Sequence, residues 1–174
     1  MSKVKKVTPS QIRAGKADFP LIGMPLGGQP VISPTKKKSS AFDFPKKFTD
    51  DDLRERLTSQ QYNVTQKSGT EKAGTGEFYK HKGKGSYLCV VCHEDLFASA
   101  TKYDSGSGWP SFYDVQSKDS IKLMADTSMM VPRTEVICSQ CGAHLGHVFN
   151  DGPKETWKRY CINSSSLCFR GEDK

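Results

Sequence analysis

Six cysteines divide into sets with different chemistry. Cys89/Cys92 and Cys138/Cys141 form two Cys-x-x-Cys pairs. Such a knuckle turns two sulfurs toward one point. Two knuckles supply the four thiolates that close a tetrahedral zinc shell and leave no open position. One pair alone is a weak signal; two matched pairs are a strong one. Cys89-Val90-Val91-Cys92-His93 also fits the Cys-x-x-Cys-His pattern of c-type haem attachment, but that reading leaves the second pair without a role. A dithiol redox role must explain each pair separately, where one zinc explains both. His93 is therefore read as an exposed polar residue just outside the knuckle.

Cys161 stands apart, in Arg159-Tyr160-Cys161-Ile162-Asn163. Strand alternation places Arg159, Cys161 and Asn163 on one face. A guanidinium beside a thiol favours the thiolate and lowers its pKa, and the thiolate is the form that attacks. The bland alternative is a small buried residue; a charged residue on the same face argues against it. His144 and His147, three apart, are the only closely spaced histidine pair. Either could act as a general acid beside a reacting thiol. Cys168 reads as a small strand residue: if its strand simply prolongs that of Cys161, an odd offset of seven residues faces it the other way, roughly 20 Å off.

The elements that must position these groups are mostly β. Thr49-Asp50-Asp51-Asp52 marks a helix start, with a capping hydroxyl and acids over the positive helix end. Leu53 and Leu57 share its apolar face, and the helix is expected to end near Thr58. Beyond residue 60 no helical period appears. Short β-like runs follow at Glu77–Tyr79, Ser86–Leu88, Ile121–Met124, Thr134–Ile137, Arg159–Ile162 and Leu167–Phe169, separated by Gly, Asp and Ser clusters that suit hairpins. The expected fold is two small antiparallel sheets with a short N-terminal helix, stapled by zinc.

The chain has 174 residues, a net charge of +7 and 35% hydrophobic residues, with a mean hydropathy of −0.60. That bounds it to one domain with an extension outside any core. Residues 1–45 are Pro- and Gly-containing and are expected to be flexible; residues 1–40 hold eight Lys/Arg and one acid, Asp18. Lys36-Lys37-Lys38 reads as a solvated linker run, and Leu21–Leu26 as a segment lying along the domain surface. Residues 46–170 form the domain and 171–174 a tail. No apolar run has a membrane-spanning length, and no secretory signal is seen. The location expected is cytoplasmic, with a mitochondrial transit segment left open by the acid-poor N-terminus.

From Phe48 to Phe169 the sequence resembles the methionine-R-sulfoxide reductases of the B type, in their zinc-binding subclass. The resemblance is carried by Gly106-Ser107-Gly108-Trp109-Pro110-Ser111-Phe112, by Cys141-Gly142-Ala143-His144-Leu145-Gly146-His147-Val148-Phe149, and by Arg159-Tyr160-Cys161-Ile162-Asn163-Ser164, in order and with both cysteine pairs. It implies reduction of the R epimer of methionine sulfoxide, in proteins or as the free amino acid. Cys161 would be the nucleophile and His147 the closer acid, with His144 beside it, Arg159 activating the thiol and Asn163 binding the substrate or the reacting oxygen. Trp109 and Phe149 would hold the methyl group. Many members carry a resolving cysteine in the place of Ser107. Its absence points to an external reductant, thioredoxin or a glutathione/glutaredoxin system, acting on the Cys161 sulfenic acid directly. A monomer is expected, with no membrane partner.

Two other classes compete. A basic zinc ribbon gripping nucleic acid accounts for the charge and four cysteines but not for Cys161 or the histidine pair, and it shows only Lys80, Lys82 and Lys84 near a knuckle. An inert scaffold leaves Cys161 unexplained.

Overall fold

The computed structural model describes residues 42–172. The expectations placed on residues 1–41, including the Lys36–Lys38 run and the Leu21–Leu26 segment, and on residues 173–174 lie outside the described residues.

Helix α1 (Asp50–Arg56) begins where the sequence says it should: Thr49 accepts from the Asp52 amide and three acids fill the first turn. A second helix, α2 (Ser59–Lys67), was not expected. Thr58, read as a helix end, is instead its N-cap, in a reciprocal capping box with Gln61. The stretch Ser-Gln-Gln-Tyr-Asn-Val-Thr-Gln-Lys has no apolar i, i+4 stripe, so its helix is fixed by its cap and by burial of Tyr62, Val64 and Thr65 rather than by periodicity.

Nine strands follow: β1 (Gly85–Cys89), β2 (Asp95–Ala98), β3 (Lys102–Tyr103), β4 (Ser111–Phe112), β5 (Ile121–Asp126), β6 (Arg133–Cys138), β7 (His144–Phe149), β8 (Arg159–Ile162) and β9 (Leu167–Gly171). They form a three-stranded sheet in the order β2-β1-β9 and a six-stranded sheet in the order β3-β4-β8-β7-β6-β5; every pairing is antiparallel. Glu77–Tyr79, read as strand-like, forms turns instead. Nor does Leu167–Phe169 prolong the strand of Cys161. A single 3-10 turn, Ser164–Ser166, breaks the run after Asn163, and β9 pairs with β1 in the other sheet. The serines that permit this break bond inward: Ser166 Oγ donates to the His144 carbonyl at 3.0 Å, and Ser164 Oγ accepts from the Phe78 amide at 2.7 Å.

The sheets meet through aromatic rings. Phe97 of β2 stacks on Phe112 of β4 at 4.4 Å, and Tyr87 of β1 meets Phe112 edge-on at 5.2 Å. All three are fully buried, and each ring pair adds about 0.5–1.5 kcal/mol beyond its area. Cys161 and the histidine pair lie on the six-stranded sheet, while β1 and β6 each lead into a cysteine knuckle.

Candidate active site and metal-holding knuckles

The two knuckles are built alike. The amide after the second cysteine donates to the first cysteine's carbonyl, His93 to Cys89 at 2.8 Å and Gly142 to Cys138 at 2.9 Å. The first cysteine's amide donates two residues beyond the second, Cys89 to Glu94 and Cys138 to Ala143, both at 2.9 Å. This turn requires a left-handed residue, and His93 (φ 60°) and Gly142 (φ 74°) fill the equivalent places. His93 is thus exposed, as expected, but is also part of the knuckle. Gly142 has a second reason to lack a side chain: a Cβ there would stand 2.7 Å from the Phe44 ring.

All four sulfurs of Cys89, Cys92, Cys138 and Cys141 lie within 4.8 Å of one another. Cys89 and Cys141 are 3.7 Å apart, Cys92 and Cys138 3.5 Å. A tetrahedral ion with sulfur bonds of about 2.3 Å needs edges of about 3.8 Å, so the set can hold a metal ion with little adjustment. The segment before α1 covers it. The Lys46 amide donates to the Gln140 carbonyl at 2.8 Å, and its Nζ reaches the Cys92 carbonyl at 3.3 Å and Glu94 at 3.6 Å.

On one face of the six-stranded sheet, strand register aligns a row of side chains. Ser111 pairs with Cys161, Cys161 with His147 and His147 with Glu135. Two histidines three apart would face opposite ways in a regular strand. An irregularity between Val136 and Ile137 gives β7 one extra residue, so Glu135 opposes His147 and Ile137 opposes His144. Both rings then share a face and meet edge-on at 5.5 Å. A cleft of about 320 Å³ opens over this row, lined by Thr70, Ser107, Trp109, Arg133, Gly146, His147, Phe149, Arg159, Cys161 and Asn163. His144 does not line it. That ring is 2% exposed, behind His147, with Nδ1 held by Glu135 at 2.6 Å.

The His147 Nε2 lies 2.7 Å from Asp126 Oδ2. Asp126 also accepts from the Ser128 amide and hydroxyl and from Arg133. The Ser128 hydroxyl and amide, followed by His147, hold its carboxyl far below the usual range. Burial lowers the His147 pKa, and Asp126 only partly offsets this. At neutral pH the ring is therefore uncharged. Because a carboxylate only accepts, Nε2 carries the proton.

Cys161 departs from expectation in one respect. Burial pushes its thiol above the ordinary 9.0; the Ser107 hydroxyl and the Arg159 charge pull it down by less. Ser107 Oγ is 3.8 Å from the sulfur. Arg159 shares Cys161's face as predicted, but its guanidinium is doubly bonded to Asp151, at 2.8 and 3.1 Å, and lies over the Phe149 ring at 4.4 Å. Its charge is therefore largely matched by Asp151, and the resting thiol keeps its proton.

Asn163 is buried. Its Nδ2 donates to the Leu145 carbonyl at 3.0 Å and its Oδ1 accepts from the Glu71 amide at 3.1 Å, which leaves one N–H of the amide free of these two bonds. The Trp109 Nε1 donates to the Glu71 carbonyl at 3.1 Å. Gly108 before it is left-handed (φ 94°), and a Cβ there would meet Ala73 at 2.8 Å, so a side chain would push the tryptophan loop out of place.

Glu71 is the residue sequence reasoning missed most completely. Only 4% exposed, its carboxylate accepts from the Ser164 amide (2.6 Å), the Ser165 amide (2.8 Å) and the Ser165 hydroxyl (2.6 Å). With its backbone bonds it ties together Trp109, Asn163 and the turn after β8. Nothing in Gly69-Thr70-Glu71 announces this. Asp126 and Arg133 were missed too, although opposite charges at the facing ends of β5 and β6 are a readable signal.

Cys168 lies away from the cleft, its sulfur 3.8 Å from the Cys89 carbonyl. No helix among the described residues is long and apolar enough to cross a membrane.

A single cysteine thus lies in a cleft beside a histidine of the neighbouring strand, apart from the four-cysteine cluster. The SelR domain matches residues 57–171. The mouse (Mus musculus) protein named methionine-R-sulfoxide reductase B3, mitochondrial, is 57% identical over 126 residues, covering 72% of this chain and 50% of the mouse protein. Proteins named peptide methionine sulfoxide reductase MsrB, from Methanosarcina barkeri and Hahella chejuensis, are 52% and 53% identical over 126 and 127 residues, covering 72% and 73% of this chain and 89% and 91% of their own lengths. The chain belongs to the SelR domain family, that of the B-type methionine-R-sulfoxide reductases.

Proposed function

We propose that this chain reduces methionine-R-sulfoxide, protein-bound or free, to methionine with Cys161 as nucleophile, and that it holds one structural zinc on Cys89, Cys92, Cys138 and Cys141. The observation that carries the reading is the cross-strand pair of Cys161 and His147 inside an aromatic-walled cleft. Trp109 and Phe149 give the substrate methyl an apolar seat, the contact such a group can use. Asn163 and His147 line the same cleft, and in this reading they meet the sulfoxide oxygen.

The protonation states shape the step. A protonated thiol brings its own proton, and neutral His147 passes it to the departing oxygen. The Cys161 sulfur bonds to the substrate sulfur and the substrate sulfur–oxygen bond breaks; the protonated oxygen then bonds to the Cys161 sulfur as the transient sulfur–sulfur bond breaks, so methionine leaves and Cys161 is a sulfenic acid. Thiol sulfur loses two electrons and sulfoxide sulfur gains them. Asp126 keeps the His147 ring oriented. Arg159, steadied by Asp151, moderates the cost of the transient thiolate.

Recycling follows from where the remaining thiols are. All six cysteines are free and lie among the described residues. Ser107, without a thiol, is the group against Cys161; Cys168 belongs to the other sheet; four are committed to the clip. The sulfenic acid therefore condenses with an external thiol, releasing water, and a second thiol resolves the mixed disulfide and restores Cys161; thioredoxin or a glutathione/glutaredoxin system supplies the two. The chain acts as a monomer, in the cytoplasm or the mitochondrion; the mouse relative's name and the acid-poor N-terminus support the latter.

The zinc closes the clip and supplies no chemistry at Cys161. The test of the function is turnover of racemic methionine sulfoxide with dithiothreitol, followed by chiral separation. The R epimer should disappear and the S epimer remain. Consumption of the S epimer alone would overturn the reading.

A further inference from the structure

Six large hydrophobic side chains are exposed among the described residues, and Met129, Met130, Val131 and Trp157 are four of them. These four sit on two loops, residues 127–132 between β5 and β6 and residues 150–158 between β7 and β8. Because neighbouring strands are antiparallel, both loops leave the sheet at one end, where Asp126 opposes Arg133 and Phe149 opposes Arg159. Arg133, Phe149 and Arg159 line the cleft, and Asp126 holds His147. The cleft rim thus carries two thioethers in water: Met129 is 59% exposed and Met130 fully so. Met124, the other methionine among the described residues, is half-buried on β5.

We infer that Met129 and Met130 are oxidation sites of this protein and that their R sulfoxides are substrates for the Cys161 cleft of a second copy. The inference rests on the proposed function. A peroxide transfers one oxygen to an exposed thioether sulfur and leaves as water, and the product forms as two epimers. The loop is pinned at both ends beside its own cleft: Asp126 is bonded to Ser128, His147 and Arg133, and Arg133 starts β6. Folding back would break the Asp126–His147 pair that the reaction uses, so repair runs between molecules. Cys161 of the second copy becomes a sulfenic acid as the thioether is restored, and a dithiol then returns it to the thiol with loss of water. The S sulfoxides are not reduced and collect at the rim.

The test uses the full-length Cys161→Ser chain as substrate. Hydrogen peroxide is added in steps and oxidation is followed by peptide mass spectrometry; Met129 and Met130 should gain oxygen well before Met124. After peroxide is removed, a catalytic amount of the unmodified wild-type chain and dithiothreitol should erase about half of the sulfoxide at each of the two positions, the R share. The remainder should resist. The inference falls if Met124 is oxidised as fast as Met129 and Met130. It also falls if their sulfoxide persists in full while the same wild-type sample reduces free methionine-R-sulfoxide; that result leaves the proposed function standing. A sample that fails on the free amino acid as well overturns both.

Discussion

The same side chain has two fates in this molecule, and the backbone around it decides which. At the metal end, Cys89, Cys92, Cys138 and Cys141 sit on tight turns that aim four sulfurs inward to within 4.8 Å of one another. At the cleft, Cys161 sits on a strand, flanked by Ser111 and His147 of the neighbouring strands, and shows its sulfur to a space large enough for a substrate. The knuckles obtain their geometry locally, from amide–carbonyl bonds within six residues and a left-handed residue after each second cysteine. The cleft obtains its geometry at long range, from five strands in register, a bulge in β7 and a carboxylate, Glu71, that lies 93 residues from Ser164. Damage at the first end should therefore unfold the molecule, and damage at the second should silence it.

The largest effect expected is at the clip. Cys138→Ser should abolish stoichiometric zinc in elemental analysis and lower the melting temperature sharply, because the binding free energy of a structural zinc is folding free energy, about 10–16 kcal/mol in small zinc domains. A variant that lacks zinc yet melts like the wild type would break the comparison.

Glu71→Gln should be next. The amide nitrogen has to face backbone N–H groups that the carboxylate accepted, and losing a hydrogen bond to a charged group costs about 1.5–3 kcal/mol. Trp109 and Asn163 would lose their common anchor, so kcat should fall by about ten- to a hundredfold with zinc content unchanged. Loss of zinc from this variant would mean that the two ends are coupled.

A smaller effect sharpens the thiol's electrostatics. Burial raises the Cys161 pKa above 9.0, so alkylation by iodoacetamide should be slow at pH 7 and climb with pH through and beyond that value. Asp151→Asn releases the Arg159 guanidinium from its partner. The midpoint should move down and alkylation at pH 8 should speed up a few-fold. An unchanged midpoint would show that Arg159 does not reach the sulfur electrostatically.

The difference between the two ends also explains what the sequence reveals. The clip is readable because each knuckle is a contiguous motif. Cys161 and Arg159 are readable because strand alternation is local. The row that joins Cys161 to His147 is not, since it depends on which strands pair and on one extra residue in β7. Helix α2 has caps but no apolar stripe. The strands β2, β3, β4 and β7 are short or broken by glycine and histidine, and tertiary pairing overrides what their residues would prefer alone. Arg159 shows the limit of inference from type: its face was predictable, but its partner Asp151 eight residues earlier was not, nor was the burial that chiefly raises the Cys161 pKa.

Cys161 is proposed to attack alone and to be repaired from outside. One turnover with methionine-R-sulfoxide and no reductant tests it directly, with methionine counted and the protein read by mass spectrometry after a sulfenic-acid trap. The account predicts one methionine per chain and one added oxygen, trapped on Cys161. A Cys161–Cys168 disulfide, with recycling lost in Cys168→Ser, or methionine released by the Cys161→Ser chain, would contradict it.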